Sequence, residues 1–437
     1  MHQDHRAASS RADRKARPVK ILVFNAGSSS LKYKLFEADD VYTDEDGRPH
    51  APNQVLSEGT VENIGQDNAH LINENDTGRT FNTVVAEGFD DAMDLVIHAL
   101  VDVLGAPLDN LSEVDAVGHR VAHAGDAFSC SQRIDRHVID VIERYAELAP
   151  LHNPYALDVI RRSRVLFPRA LQVAAFDTAF HQTMPRRSYI YPIPYRYYEE
   201  YGIRKFGFHG ISHKYVARRA ARFLGQDLRS LKLITCHLGA GASIAAIDHG
   251  YSMDTSMGYT PLDGVMMNTR SGSVDPAIVT AIMEKEHLTP HEMDQVLNRE
   301  SGFLGVSGTS GDLRDLKEVI RYGDTQAELA YDIFLFSVRR MIGAYAFELA
   351  GVDGIVVTAG VGENDPYARR LIFRGLEPFG IEIDEKRNQA KGKGERLIST
   401  DRAAVKTLVI PTDEESEIAR DVSFIASGID ISNPWAY

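Results

Sequence analysis

The segment Asn25-Ala26-Gly27-Ser28-Ser29-Ser30 carries backbone groups and hydroxyls that could bind a tetrahedral anion. It contains no bulky side chain, and Lys32 follows two residues after its end. Small residues let backbone N–H groups close around an oxyanion, and a lysine adds a point charge. A Ser- and Gly-rich β-turn that binds nothing has the same composition, so this segment alone leaves both interpretations open.

Related patterns occur twice more along the chain. An apolar run from Leu231 ends at His237, and Gly239-Ala240-Gly241-Ala242-Ser243 follows before a second apolar strand. A third apolar run, residues 354–358, leads into Ala359-Gly360-Val361-Gly362-Glu363-Asn364 ahead of a predicted helix. Two strand–turn–strand segments and one Gly-rich strand-to-helix turn predict a duplicated nucleotide-binding fold of the α/β class.

Two arginines lie among glycine and other small residues, unlike the arginines of the predicted helices. Arg120 belongs to GHRVAHAG and Arg270 to NTRSGSVDP. A guanidinium can bind oxygens in pairs and stays charged, although a surface salt bridge is the ordinary alternative for each. Asp177 follows the apolar run of residues 171–176, and the end of a buried strand is the usual place for a site in an α/β sheet.

The chain has sixteen histidines, so any single histidine is weak evidence of a site. Most are expected at the surface, or in the core with their ring nitrogens hydrogen-bonded. His209 in FGFHGISH, His152 in PLHNP and His237 in CHLGAG each lie beside small or turn-forming residues. His213 follows His209 by four residues, a spacing that some metal pairs use. No acidic residue of the H-E-x-x-H type accompanies the two, so a metal pair is disfavoured.

The composition is that of an ordinary globular protein long enough for two domains. The chain has 437 residues, 43% of them hydrophobic and 25% charged, with a net charge of −14. The negative charge argues against a nucleic-acid partner, and no apolar run is long enough to cross a membrane. Cys130 and Cys236 do not predict a disulfide framework, which favours a reducing, cytoplasmic location.

Several longer elements can be predicted from periodicity. Helices are expected over residues 89–104, 214–224 and 331–350, and the last, being mostly apolar, should be buried against a sheet. Residues 189–201, rich in tyrosine and proline, predict a loop or lid. Residues 1–18 form a basic segment that is expected to be disordered.

The order of these motifs across residues 20–420 resembles the acetokinase family, which belongs to the acetate and sugar kinase, heat-shock protein and actin superfamily. The resemblance implies a duplicated ribonuclease H-like (actin-like ATPase) fold, with two domains on either side of a central cleft. The implied N-terminal domain comprises residues 19–178 together with about 413–437. Residues 179–412 would form the C-terminal nucleotide-binding domain.

The same resemblance implies reversible, Mg-ATP-dependent phosphorylation of acetate by direct in-line transfer. Such transfer needs positive charge, a held metal and geometry more than covalent help from the protein. Family roles carried over by motif make Asp177, His209 and Arg270 catalytic. The implied substrate contacts are Arg120, Ala122, Leu151, His152, Phe208 and Pro261.

The cofactors and the nucleotide site are likewise implied by the family. Asn25 and Glu414 would associate with Mg²⁺, or with Mn²⁺ in its place, and ATP and ADP would be co-substrates. The implied nucleotide contacts are Ser28, Ser30, Lys32, His237, Leu238, Gly239, Ala240, Gly241, Asp312, Leu313, Arg314, Gly360, Val361, Gly362, Glu363 and Asn364. A homodimer is also implied, without a nucleic-acid or membrane partner.

Three departures from the family pattern bear on function. Ala240 replaces an asparagine of the second turn, and Ser273 stands where aspartate is usual. Ala122 replaces a common valine of the methyl pocket, which leaves room for one more substrate carbon and makes propionate kinase the nearest alternative. An alternative of another class is a nucleotide-switch ATPase, which would not need Arg120, Asp177, His209 and Arg270 together.

Overall fold

Two mixed β-sheets with helices packed against them form the protein, as the alternation of apolar strands and helical segments predicts. The computed structural model describes residues 18–38, 54–150, 152–392 and 394–432. The predicted disordered segment, except Pro18, and the last five residues therefore lie outside the described residues. No helix in the described part of the chain combines the length and apolar character needed to span a bilayer.

The first sheet is organised around its central strand. The strands are β1 (Val19–Ala26), β2 (Ser30–Ala38), β3 (Gln54–Glu62), β4 (His70–Asn75), β5 (Gly78–Thr83), β6 (Val114–Val121), β7 (Gln132–Arg133) and β8 (Leu171–Phe176). Their spatial order is β5-β4-β3-β2-β1-β6-β8-β7. Strand β1 pairs antiparallel with β2 and parallel with β6, and β6 pairs parallel with β8.

The second sheet repeats the central part of the first. It contains β9 (Lys232–Leu238), β10 (Ala242–Asp248), β11 (Tyr251–Thr255), β12 (Gly354–Thr358), β13 (Arg396–Leu397) and β14 (Lys406–Val409), in the order β11-β10-β9-β12-β14-β13. The series β11-β10-β9-β12-β14 has the same connectivity and the same strand directions as β3-β2-β1-β6-β8. This correspondence confirms the predicted duplication.

Helices cover the faces of both sheets. They are α1 (Phe89–Val101), α2 (Arg136–Arg144), α3 (Asn153–Leu166), α4 (Arg186–Tyr189), α5 (Arg196–Tyr201), α6 (Gly210–Leu224), α7 (Pro276–Glu286), α8 (Pro290–Arg299), α9 (Gly302–Ser307), α10 (Leu313–Arg321), α11 (Thr325–Glu348), α12 (Ala359–Asn364), α13 (Pro366–Phe373), α14 (Glu385–Gln389) and α15 (Glu414–Ala426). Short 3₁₀ turns cover Leu111–Glu113, Ala146–Leu148, Ala179–Thr183, Leu228–Ser230 and Glu377–Phe379.

Strand β1 is buried on both faces because successive side chains alternate between two cores. Leu22 and Phe24 pack in the core that includes α1, whereas Ile21 and Val23 pack with Ile418 of α15. The C-terminal helix therefore returns to the first sheet, although the strand before it, β14, belongs to the second.

The structure moves several predicted boundaries. Helix α1 ends at Val101, and Leu104 is fully exposed instead of continuing the apolar face. Helix α6 begins at Gly210, four residues before the predicted start. Residues 189–201, predicted to be a loop, include the short helix α5. No proline follows Pro194 in this segment, so its last residues can be helical.

The helix predicted over residues 331–350, which we expected to be buried against a sheet, is buried on one face only. Helix α11 buries one face, including Phe334 and Val338, and exposes another. Leu329, Ile333 and Phe336 are 53%, 39% and 61% exposed and are spaced along the second face, and Phe347 is 82% exposed. An apolar composition does not distinguish a helix buried on all sides from one that has a second apolar face at the surface.

Charged side chains join α6 to α15. Glu417, which is 3% exposed, lies 2.9 Å from Nη1 of Arg218 and 3.2 Å from Nζ of Lys214. Burial alone would raise the pKa of Glu417, but Arg218 and Lys214 outweigh it and lower the pKa to about 2. The ionised carboxylate is therefore bound more favourably in the folded protein than in the unfolded chain.

We expect Glu417→Gln to lower the Tm at pH 7, with a loss of about 3 kcal/mol, because two cations lose a buried anion. The stabilisation is complete above the ordinary glutamate pKa of 4.5 and disappears as the pH falls toward 2. Thermal unfolding followed by circular dichroism from pH 7 to pH 3 should show the two proteins converging. Glu382→Gln, which breaks an exposed pair with Arg402, is the matched control and should barely change the Tm. A difference in Tm that stays constant with pH would contradict the assigned charge state.

Candidate active site

Arg120 and Asp177 form a buried ion pair at the carboxyl ends of two neighbouring parallel strands. Arg120 lies in β6 and Asp177 follows β8 directly. The Arg120 Nη2 atom is 2.6 Å from Oδ2 of Asp177, and Nε donates to Oδ1 at 3.4 Å. Asp177 is 1% exposed, so its carboxylate depends on this guanidinium for compensation.

Further acidic side chains reach Arg120 from the start of α15. Glu414 Oε2 lies 3.7 Å from Arg120 Nε, and Asn25 links the groups: its amide nitrogen donates to Glu414 and Glu415, and its oxygen accepts from Arg120. Burial raises the pKa of Asp177 to about 6, with Arg120 opposing this shift and Glu414 adding to it. Burial also opposes the charge of Arg120, but these carboxylates outweigh it and raise its pKa above the ordinary value.

A divalent cation at the acidic groups around Arg120 would need ligands in addition to protein side chains. Within residues 18–38, 54–150, 152–392 and 394–432, no three His, Cys, Asp or Glu side chains are grouped so as to hold a metal by themselves. Mg²⁺, however, usually takes one or two carboxylates and completes its shell with water and phosphate oxygens. The Glu414 carboxylate fits that role, whereas the Asn25 oxygen is already used by Arg120.

His209 is the N-cap residue of helix α6 and lies beside Asp177. The residue has φ of +54°, and the N–H of the next residue, Gly210, donates to the Asp177 carbonyl at 3.0 Å. A Cβ atom on Gly210 would lie 2.1 Å from that carbonyl oxygen, so only glycine permits this approach. The strained backbone thus places the His209 ring beside the Arg120–Asp177 pair.

The His209 ring stacks on His237, which lies at the end of β9. The ring centroids are 4.1 Å apart. Loss of water around the His209 ring, together with nearby His237, His213, Arg120 and Arg270, lowers its pKa well below 6.5. Burial lowers the pKa of His237 to about 4, and burial with Arg120 and Arg270 lowers that of His152 to about 3. These imidazoles are therefore neutral near pH 7.

Arg270 approaches the same place from a loop of the second half. Its Nη1 atom donates to the Pro261 carbonyl at 3.4 Å, and no acidic side chain in the described residues pairs with it. Burial, with Arg299 adding to it, lowers its pKa from the ordinary arginine value. An arginine without a carboxylate partner beside neutral histidines provides positive charge for an anion, unlike a surface salt-bridge arginine.

The small-residue turns occupy the ends of the hairpins. Ser28 lies in the β1–β2 turn and Ser30 begins β2, where its carbonyl accepts from the Gly27 N–H. Lys32 is an exposed residue opposite Asn25. His237, Leu238, Gly239, Ala240 and Gly241 form the end of β9 and its turn to β10, and Gly241 adjoins both His209 and Arg270.

Two predicted nucleotide segments lie at helix starts. Gly360, Val361, Gly362, Glu363 and Asn364 belong to α12, and the Glu363 carboxylate accepts from the N–H groups of Ala359 and Thr412. Asp312 caps α10, Leu313 is buried, and Arg314, whose side chain is 90% exposed, pairs with Asp312. Glu363, Asp312 and Arg314 are thus engaged with neighbours in this structure.

The implied acid pocket is only partly described. Ala122 and Phe208 are buried, and His123 contacts Phe208 edge to face at 5.3 Å. Pro261 contributes its carbonyl to Arg270, while Leu151 lies outside the described residues.

Sequence reasoning missed the hydroxyl groups that hold the histidines. Ser212 bonds His237 Nδ1 and Thr412, and Ser243 bonds both His209 and His213. Both ring nitrogens of His213 are engaged with hydroxyls. Only the spacing of Ser212 and His213, three and four residues after His209 on one helix, offered a signal.

The family model and the sequence relatives indicate the same family. A sequence model of the acetokinase family matches residues 20–420. An acetate kinase of Halothermothrix orenii is 50% identical over 409 residues, 93% of this chain and 99% of the relative. Another, of Caldanaerobacter subterraneus, is 47% identical over 414 residues, 94% of this chain and all of the relative.

Solved structures agree in fold. The acetate kinase of Porphyromonas gingivalis has a TM-score of 0.84 at 40% identity, covering 93% of this chain and all of that one. The propionate kinase of Francisella tularensis has a TM-score of 0.83 at 36% identity, covering 94% and 100%. The predicted α/β, actin-like ATPase fold is confirmed, and the chain belongs to the acetokinase family of phosphotransferases.

Proposed function

We propose that this protein transfers the γ-phosphoryl group of ATP to acetate, reversibly, giving acetyl phosphate and ADP. The relatives named acetate kinase support this substrate. One observation carries the proposal: Arg270 and the Arg120–Asp177 pair both lie around the neutral His209 ring. Arg270 has no acidic partner among the described residues. A pure nucleotide switch has no need of two such arginines.

The acceptor attacks directly and in line. An acetate carboxylate is already ionised and needs no general base, so Asp177 serves to orient Arg120 rather than to take a proton. The two hydrogen bonds between Arg120 and Asp177 support that role, because they fix the guanidinium plane. Arg270 and His209 contact the transferring group, where added positive charge and a hydrogen-bond donor lower the barrier.

Magnesium is part of the proposal. Glu414 would hold Mg²⁺ together with nucleotide phosphates and waters, Asn25 would orient Glu414, and Mn²⁺ could take the same place. When bound, the ion neutralises phosphate charge. The backbone N–H groups of Ala240 and Gly241 would contact phosphate, since Ala240 has no side-chain donor and the Gly239 N–H already donates to the Gly241 carbonyl.

The proposed domain division follows the two sheets. Residues 19–178 with about 413–437 form the N-terminal domain, and residues 179–412 form the nucleotide-binding domain. Strands β1–β8 lie in the first range, β9–β14 lie in the second, and α15 packs against β1. A cytoplasmic location is proposed from the two cysteines, which form no disulfide.

Ala122 favours a second substrate. Its side chain is smaller than the valine usual in the family, and the propionate kinase of Francisella tularensis shares this fold. The extra space would accept one more carbon, so we propose measurable use of propionate beside acetate.

A hydroxamate assay with Mg-ATP and matched concentrations of acetate, propionate and butyrate tests the function. We expect acyl phosphate from acetate first and propionate second. Ala122→Val should lower kcat/KM for propionate relative to acetate about tenfold, because the added methyl groups refill the pocket. Butyrate equal to or better than both would contradict the pocket. ATP turnover that ignores every acid would favour the switch ATPase.

Arg270→Ala should lower kcat about 1,000-fold while the circular dichroism spectrum and Tm stay close to those of the parent, because the charge acts on the transferring group. Arg402→Ala, at an exposed arginine far along the chain, is the control and should retain full turnover. Near-normal turnover of the Arg270 variant would remove this residue from the mechanism.

We also propose a homodimer, with the exposed face of α11 as its surface. Phe336 and Phe347 line one groove together with Phe379, which is 65% exposed. Contiguous apolar surface of this kind usually marks an interface, and a second copy of the chain is the occupant that the family suggests.

Light scattering after gel filtration should give the mass of two chains for the parent protein. Phe336→Asp should shift it toward one chain, because a charge is then buried in the apolar contact. Leu104→Asp, at an isolated and fully exposed leucine, should leave the mass unchanged. A monomeric parent, or a Phe336 variant that remains dimeric, would contradict this surface.

A further inference from the structure

A buried chain of hydrogen bonds ends at His209. Thr235 Oγ1 is 2.7 Å from His213 Nδ1, His213 Nε2 is 2.8 Å from Ser243 Oγ, and Ser243 Oγ is 2.9 Å from His209 Nδ1. Thr235, His213 and Ser243 are fully buried. The chain runs from β9 through α6 to β10, so it is built from elements that the fold fixes.

His209 and His213, the two histidines of this hydrogen-bond chain, are neutral. Burial lowers the pKa of His213 well below 6.5, with His181 and His237 adding to the shift, and His209 is affected similarly. A neutral imidazole has one N–H donor and one acceptor nitrogen. The hydrogen bonds can therefore run in either of two directions, and each direction places the His209 proton on a different nitrogen.

Thr235 determines the direction. Its hydroxyl has no second hydrogen-bond partner in the part of the chain that the structure describes. If this buried hydroxyl accepted a bond from His213, its own proton would be left unpaired, which is unfavourable. Thr235 therefore donates to His213 Nδ1, His213 Nε2–H donates to Ser243, and Ser243 donates to His209 Nδ1.

This direction leaves the His209 proton on Nε2. A Cβ atom built on Gly241 would lie 3.5 Å from Nε2 of His209 and 3.7 Å from Nη1 of Arg270, so the two groups face the same turn. Stacking on His237 already fixes the ring plane. With the reverse direction, a lone pair instead of an N–H would face an incoming phosphoryl oxygen.

We propose that Ser243, His213 and Thr235 are positioning residues that fix the Nε2–H tautomer of His209 and so aim a donor at the transferring phosphoryl group. The inference rests on the proposed phosphoryl transfer for its consequence, but the tautomer itself can be measured without turnover.

Ser243→Ala removes the donor to His209 Nδ1. We expect kcat for acetyl phosphate formation to fall about tenfold while the KM values for ATP and acetate change less than about twofold. Nitrogen NMR of protein labelled at histidine should show His209 as Nε2–H in the parent and as a tautomer mixture in the variant.

Ser252→Ala is the matched control. Ser252 makes an equally buried bond to His181 Nδ1 at 2.8 Å, and His181 Nε2 donates to the Phe208 carbonyl. This pair lies outside the hydrogen-bond chain that ends at His209, so the His209 signals should stay those of the parent.

Two variants at Thr235 decide the matter if the Ser243 variant does not fold. Thr235→Val keeps the shape but removes the donor, and should lower kcat several-fold and mix the tautomers, whereas Thr235→Ser should behave as the parent. An Nδ1–H tautomer of His209 in the parent would overturn the inference, as would parental kcat and a single tautomer in the folded variants. Absence of acyl phosphate from the parent would instead refute the proposed function.

Discussion

The buried pair of Arg120 and Asp177 is the interaction on which the site depends. A carboxylate that is 1% exposed is tolerated only with a close cation, and the parallel pairing of β6 with β8 supplies that cation at the right place. Arg120 is fixed on strand β6, and two further side chains contact it there. Asn25 of β1 accepts a hydrogen bond from it, and Glu414 of the first turn of α15 forms an ion pair with it.

The duplicated sheets give the two arginines different environments. Arg120 is held by carboxylates, which orient its guanidinium and use part of its charge. Arg270, from a loop of the second half, has a carbonyl and a thioether sulfur, and no carboxylate, as side-chain hydrogen-bond partners among the described residues, so its charge is not neutralised. An oriented cation suits a bound carboxylate, and an uncompensated cation suits a group whose negative charge must be stabilised during transfer.

Helix α6 joins these environments. His209 is its N-cap, and its first N–H, that of Gly210, donates to the Asp177 carbonyl. Its first turn supplies Ser212 and His213 to the hydroxyl network around the histidines. Its outer face contributes Lys214 and Arg218 to the buried Glu417 of α15. One helix therefore carries groups of the candidate site and also the charged contact with the C-terminal helix.

The amino-acid sequence by itself determined the fold class, the duplication and the segments from which the site is built. Apolar runs that end in small-residue turns specify strands and hairpins locally, and these signals do not depend on distant partners. Only the tertiary structure decided which charges have partners. Arg120 has a carboxylate partner, whereas Arg270 has none among the described residues, and no local pattern distinguishes GHRVAHAG from NTRSGSVDP in this respect. The sequence likewise did not predict the exposed apolar face of α11 or the direction of the Thr235–His213–Ser243 hydrogen bonds. Burial and hydrogen-bond partners arise between residues far apart in sequence, so spacing along one segment cannot specify them.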